Sequence, residues 1–158
     1  MEISELIEQF STSREKQIKA IFSTLFIADN RLQTVFDKED SNISLKQFML
    51  LTMVRRSEKQ LTFTQLGRLL GCSRQNIKKI AALLEQKGFV EIGQSTSDTR
   101  AAVICPTEKL ESYFDHVSEL HQKKLGLLFR DYSDGEVELL FRLLMKLYKG
   151  IEGLEEEI

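Results

Sequence analysis

Apolar positions recur at helical spacing along most of this chain. Ile18, Ile21, Leu25, Ala28, Leu32 and Val35 step by three and four residues, a narrow seam that Phe22, Phe26 and Phe36 widen. No Gly or Pro precedes Gly67, so the first third reads as helix. The spacing leaves open whether residues 3–12 continue that helix, because Ser11, Thr12 and Ser13 offer caps for a new one. Asp40, Ser41 and Asn42 make the next break. Ser44 with Gln47, Thr62 with Gln65 and Ser133 with Glu136 each fit a capping box that opens a helix. The first turns Phe48, Leu51 and Val54 inward and ends near Arg56. The second contains Leu66, Gly67, Leu69 and Leu70 and stops at Gly71. A glycine there costs about 1 kcal/mol of helix propensity relative to alanine, which predicts a helix crossing closely at Gly67. The last helix carries Val137, Leu140, Phe141, Leu144, Leu147, Tyr148, Ile151 and Leu154. That stripe is wider than a small single domain uses, and long apolar terminal helices most often pair with a copy of themselves.

The middle of the chain has a different order. Ser73 is a natural N-cap for a segment in which Ile77, Ile80, Ala81 and Leu84 share one face. Gln75, Lys78, Lys79 and Ala82 share the opposite face, and Gly88 ends the segment as its C′ residue. A short strand, Phe89 to Ile92, leads to a polar loop ending in Asp98, Thr99 and Arg100. A second strand returns from Ala101 to Cys105, and Pro106 closes it. Thr107 offers a cap for a helix over roughly 107–129 carrying Leu110, Phe114, Val117, Leu120 and Leu128. Helix, strand, basic-tipped loop, strand is the order in which a winged helix-turn-helix offers one helix to the major groove and one loop to the minor groove.

Charge sharpens this picture. The net charge of −2 argues against nucleic acid only if it is spread evenly. Residues 54–100 hold nine basic and four acidic side chains, whereas the segments on either side are net acidic. Phosphate attraction follows the local field, since exposed charges beyond about 10 Å are screened at 0.1 M salt. Charge alone does not separate this from chance clustering. With 42% hydrophobic and 29% charged residues the chain can bury a core and stay ordered, as one domain over 1–158. No apolar run is long enough for a membrane span, the start is acidic, and two cysteines are too few for a disulfide framework; the reading is a reducing cytoplasm.

Three stretches together resemble the MarR family, the multiple antibiotic resistance regulators of bacteria. Thr64 through Gly71 is similar to the first motif helix, with Gly67 where Ala is usual. Ser73 to Ile77 continuing through Leu84 to Val90 is similar to the recognition helix and its exit. Asp98-Thr99-Arg100, followed by Pro106 to Lys109, is similar to the D-x-R wing signature and the start of the next helix, with Pro106 where Leu is usual and Leu110 where Gly is frequent. The resemblance implies a mainly α fold: a winged helix-turn-helix with a two-stranded β wing and long N- and C-terminal dimerisation helices. The DNA-binding lobe falls at 44–106 and the helical dimerisation region at 1–38 and 107–158. It further implies a homodimer on a pseudo-palindromic operator of double-stranded DNA, usually a repressor relieved by a small-molecule effector or by oxidation.

The residues expected at DNA are Ser73, Arg74, Gln75, Asn76, Lys78, Lys79, Ser95, Thr96, Asp98 and Arg100. The amides of Gln75 and Asn76 sit in the first helical turn and suit adenine. Arg74 suits guanine or phosphate, and Lys78 and Lys79 suit phosphate. Arg100 is placed for a narrow minor groove, with Asp98 ordering its loop. Ser95 and Thr96 are donors for phosphate, although such residues also fill turns. An effector pocket is expected near residues 18–36 and 107–128.

The same residues admit other readings. A winged helix used only for protein interaction has no use for a basic face. Cys72, beside a helix N-terminus and basic side chains, admits a redox switch, but a free cysteine is most often a small buried apolar residue, and Cys72 fills a turn position that favours one. His116 and His121 lie about 140° apart on one helix, a poor metal pair. No Gly-rich phosphate loop, nucleophile elbow or HExxH occurs, so no catalysis, cofactor or metal is expected.

Overall fold

Capping chemistry fixes where the helices begin. The computed structural model describes residues 3–39, 42–96 and 100–158. Its helices are α1 (Ile3–Phe10), α2 (Arg14–Glu39), α3 (Leu45–Arg56), α4 (Phe63–Leu70), α5 (Arg74–Gln86), α6 (Glu108–Leu128) and α7 (Asp134–Glu155). Its strands are β1 (Leu61–Thr62), β2 (Val90–Gln94) and β3 (Ala102–Pro106). All three expected capping boxes form, at Ser44 with Gln47, Thr62 with Gln65 and Ser133 with Glu136. The break between α1 and α2 is also capped: the Lys16 N–H donates to Ser13 Oγ at 3.3 Å. Residues 40 and 41 of the next expected break lie outside the described residues. Its near side is tied down where the Leu45 N–H donates to Asp37 Oδ1 at 2.6 Å.

The sheet is antiparallel in the order β1-β3-β2. The hairpin β2–β3 is the expected wing, in register from Val90 opposite Pro106 to Gln94 opposite Ala102. The third strand was not expected. Leu61 and Thr62 pair with Ile104 and Val103 on the other side of β3, so the wing is attached to the lobe through its inner strand.

The chain divides into two compact units, one up to Glu111 and one from Ser112 onward. In the first, Leu50, Leu66, Ile77, Leu84, Ile104 and Leu110 are all at most 2% exposed and come from α3, α4, α5, β3 and α6. At roughly 1.5–3 kcal/mol for each fully buried aliphatic side chain, this core holds the recognition elements on one body. Phe48, expected inward, is only half-buried, whereas Leu50 on the same helix is fully buried. In the second unit α7 has no buried side chain at all: Phe141 and Tyr148 are each 60% exposed and Leu154 is 64% exposed. At its start the Glu136 carboxylate accepts the Ser133 N–H at 2.8 Å and the Ser133 hydroxyl at 3.0 Å. Those bonds, the backbone one foremost, hold its pKa below the ordinary 4.5.

Gly67 makes room for the following turn and for the start of α5: a Cβ there would stand 2.6 Å from the Cys72 carbonyl oxygen and 3.6 Å from the Arg74 backbone nitrogen. Thr107, expected to cap α6, also turns its hydroxyl proton back to the exit of α5: its Oγ1 lies 2.7 Å from the Gly88 carbonyl and 3.0 Å from that of Phe89.

Candidate nucleic-acid interface

Helix α5 presents its polar face because its apolar face is taken by the core. Ile77, Ala81 and Leu84 are fully buried, which leaves Arg74, Gln75, Asn76, Lys78 and Lys79 exposed. The turn before the helix aims this face. Gly71 adopts a left-handed φ of 64°, the Cys72 N–H returns to the Gly67 carbonyl at 2.8 Å, and Ser73 Oγ accepts the Asn76 N–H at 3.2 Å. With no acidic residue in its first turn, the N-terminal end of α5 keeps the positive end of its dipole facing outward beside Arg74.

The far end of α5 is closed as tightly. Gly88, at φ 77°, lets the Gly88 N–H reach the Glu85 carbonyl at 2.8 Å and the Phe89 N–H reach the Leu84 carbonyl at 3.0 Å. This is a Schellman ending, and the residues it brings together, Leu84 and Phe89, are both buried. Lys109 Nζ donates to the Lys87 carbonyl at 2.6 Å and stands 4.8 Å above the Phe89 ring. A cation at a helix C-terminus and over an aromatic face is favoured on both counts.

Not every basic residue of the middle segment is offered outward. Lys87 Nζ donates to the Asn42 carbonyl and to Gln47 Oε1, which joins α5 to the start of α3. Arg55 is paired with Glu111 at 2.8 Å. Both side chains brace the lobe, so the outward charge is carried mainly by Arg74, Lys78, Lys79 and their exposed basic neighbours.

In the wing, the Ser95 N–H donates to the Ala101 carbonyl at 2.9 Å. Ser95 is half-buried, and Thr96 and Arg100 are exposed. Asp98, with Ser97 and Thr99, lies outside the described residues. The structure therefore brings Ser73, Arg74, Gln75, Asn76, Lys78 and Lys79 together on α5, and Ser95, Thr96 and Arg100 together on the hairpin. Sequence reasoning missed the braces at Glu85, Lys87, Thr107 and Lys109. Each is a contact over seven residues or more, with no periodic signature.

Each cysteine has a hydrogen-bond partner within the lobe. Cys72 Sγ lies 3.5 Å from the Leu70 carbonyl, Cys105 Sγ accepts Gln60 Nε2 at 3.3 Å, and both are half-buried thiols. Among the described residues no group of three or more His, Cys, Asp or Glu side chains is arranged for a metal ion, His116 and His121 included. Two concavities flank the loop before β1. One of about 230 Å³ is lined by Val54, Leu61, Ile104 and Cys105, and a more open one by Gln60, Thr62, Gln65, Ser95 and Thr96. Neither is lined by residues of the segments 18–36 and 107–128 expected to border an effector.

Comparison with known proteins agrees with this architecture. The family model described as MarR family matches residues 41–101. The transcriptional repressor MprA of Escherichia coli (strain K12) is 27% identical over 108 residues, which cover 68% of this chain and 61% of the relative. The aligned part of the chain thus spans about three fifths of the length of that curated relative. Among solved structures, the transcriptional regulator BldR from Sulfolobus solfataricus superposes with a TM-score of 0.78 at 18% identity, over 87% of this chain and 99% of its own. A MarR family transcriptional regulator from Streptomyces coelicolor, solved in complex with DNA, superposes with a TM-score of 0.75 at 18% identity, over 88% and 92%. At these identities the structural likeness is one of fold.

Proposed function

We propose that this chain, which belongs to the MarR family, is a sequence-specific DNA-binding transcriptional regulator that acts as a homodimeric repressor. The observation that carries the reading is the polar face of α5. Five exposed side chains, Arg74, Gln75, Asn76, Lys78 and Lys79, stand on a helix whose other face is fully packed. A basic-tipped hairpin follows it directly. Family members are transcriptional regulators and not enzymes. The repressor sense is supported by what the E. coli relative is.

Gln75 and Asn76 read base edges in the major groove, Lys78 and Lys79 hold phosphates, and Arg100 enters the minor groove alongside. Ser73 orders the first turn. Ser95 and Thr96 face the backbone of the duplex, and Asp98 belongs to the same proposed set. Homodimerisation is supported by apolar side chains left exposed on α2 (Ile18, Ile21, Phe22, Phe26) and along α7. Two copies would set their recognition helices about 34–36 Å apart, one turn of DNA, and so favour a pseudo-palindromic operator. Relief by a small-molecule effector belongs to the same reading. No described helix is long and apolar enough to cross a membrane, and the proposed place of action is the cytoplasm, where its DNA is.

A gel-shift titration at several salt concentrations, on duplexes selected by the protein from a random pool, tests this. Affinity should fall linearly on a log–log plot against salt, with a slope set by the phosphates contacted. A protein that selects no sequence, or whose binding ignores salt, contradicts the reading.

A further inference from the structure

Glu85 lies on the exposed side of α5 and belongs neither to the base-facing set nor to the buried stripe. Its Oε1 accepts the backbone N–H of Ile92 at 2.7 Å. Ile92 sits in the middle of β2, opposite Ile104, and β2 is an edge of the sheet. An edge strand turns half of its N–H groups away from its neighbour, and these need a partner from elsewhere. Here the recognition helix supplies it, through a short charge-assisted bond. Beyond Ile92, Gly93 and Gln94 pair with Val103 and Ala102, the other strand of the hairpin, and the chain then enters the loop that ends at Arg100. The near end of this segment is fixed by the turn over 84–89. Two anchors on α5, one at the turn and one at Ile92, therefore set the direction in which the wing leaves the helix.

We propose that Glu85 is a positioning residue, whose carboxylate holds the wing at the angle at which Ser95, Thr96 and Arg100 meet the groove beside the one read by α5. The inference rests on the DNA-binding reading above. The sign of the effect is what makes it testable. A carboxylate on a lobe that approaches phosphate is repelled by it. If Glu85 were only a solvated helix charge, Glu85→Ala would bind DNA as tightly as wild type or more tightly. A positioning role requires the opposite.

The test compares the full-length wild type, Glu85→Ala and Glu85→Gln on a duplex selected by the wild type from a random pool. Alanine is the better helix former, so the first variant keeps α5. It should lose about tenfold in affinity, the scale of one charge-assisted bond. It should also lose minor-groove protection in hydroxyl-radical footprints, keep major-groove methylation protection, and exchange the Ile92 amide faster. Glutamine retains an oxygen acceptor and should restore the footprint and the slow Ile92 amide. An alanine variant with the wild-type wing footprint and undiminished affinity overturns the inference and leaves the DNA-binding reading standing. A wild type that leaves no footprint on any duplex overturns both.

Discussion

The carbonyl oxygen of Cys72 lies 2.6 Å from the point that a Cβ on Gly67 would occupy, and the Cys72 N–H donates to the Gly67 carbonyl at 2.8 Å. The turn of the helix-turn-helix is thus folded closely onto α4 at Gly67. Gly67→Ala would gain about 1 kcal/mol of helix propensity, but overpacking costs roughly 1–3 kcal/mol. The obstructing atom here is a main-chain carbonyl that cannot rotate away, so the clash outweighs the propensity. The variant is expected to have a lower urea midpoint than wild type and weaker DNA binding, because the same turn aims Ser73. An unchanged midpoint would mean that the turn yields at no cost.

Gly88 is held by a different constraint. A Cβ there would meet only Lys109 Cδ, at 3.7 Å, but the residue sits at φ 77°. Gly88→Ala should therefore cost about 1–2 kcal/mol through backbone conformation alone. Gly88→Asn should cost less, since asparagine tolerates the left-handed region. Thermal melts should rank glycine above asparagine above alanine.

Gln75 and Asn76 differ from Lys79 in what they are expected to read. Replacing either amide with alanine should cost about 1–3 kcal/mol at one base position and relax preference there. Lys79→Ala should weaken all sequences alike and lower the salt slope by about one. Binding-selection profiles beside salt titrations separate the two outcomes.

Phe26 on α2 is 59% exposed and Phe141 on α7 is 60% exposed. If a second copy covers these faces, Phe26→Glu or Phe141→Glu places a charge in an apolar contact, where it is costly without a partner. Sedimentation velocity should then show a shift toward the monomer, with operator affinity falling in parallel. Unaltered sedimentation in both variants would place the dimer contact elsewhere.

The α7 start carries a pH signature. Because the Glu136 pKa is lowered by the N–H and hydroxyl of Ser133, its bond supports the helix above the ordinary carboxylate range and is lost as pH falls through the lowered value. Amide exchange in the first turn of α7 should accelerate below that value in wild type. In Ser133→Ala the hydroxyl bond is gone, and part of the acceleration should already be present at neutral pH.

Local chemistry made much of this fold readable. Ser44, Thr62, Ser133 and Gly88 act through atoms three to five residues away, so their roles follow from sequence order. The same holds for the face shared by Gln75, Lys78 and Lys79, which one helical period fixes. What could not be read depends on distant pairing. β1 is two residues long, too short for any alternation, and exists only because Leu61 and Thr62 meet Ile104 and Val103. Lys87 and Arg55 count as basic residues in sequence, yet their cations are bound at Asn42 and Glu111, partners known only once the lobe has closed. Thr107 reads as a helix start by position, but the bonds its hydroxyl gives to the carbonyls of Gly88 and Phe89 span 19 and 18 residues and leave no local pattern.

Helix α7 is long, firmly capped and without one buried side chain. A helix in that state owes little to its own polypeptide, because propensity and capping leave an isolated segment only marginally formed in water. If a sibling chain supplies the missing cover, heat resistance becomes a matter of dose: dilution should lower the melting temperature and concentration should raise it. Sparse molecules in a cell would then be the frayed ones, open to proteases, and the number of copies made would itself help decide how many persist.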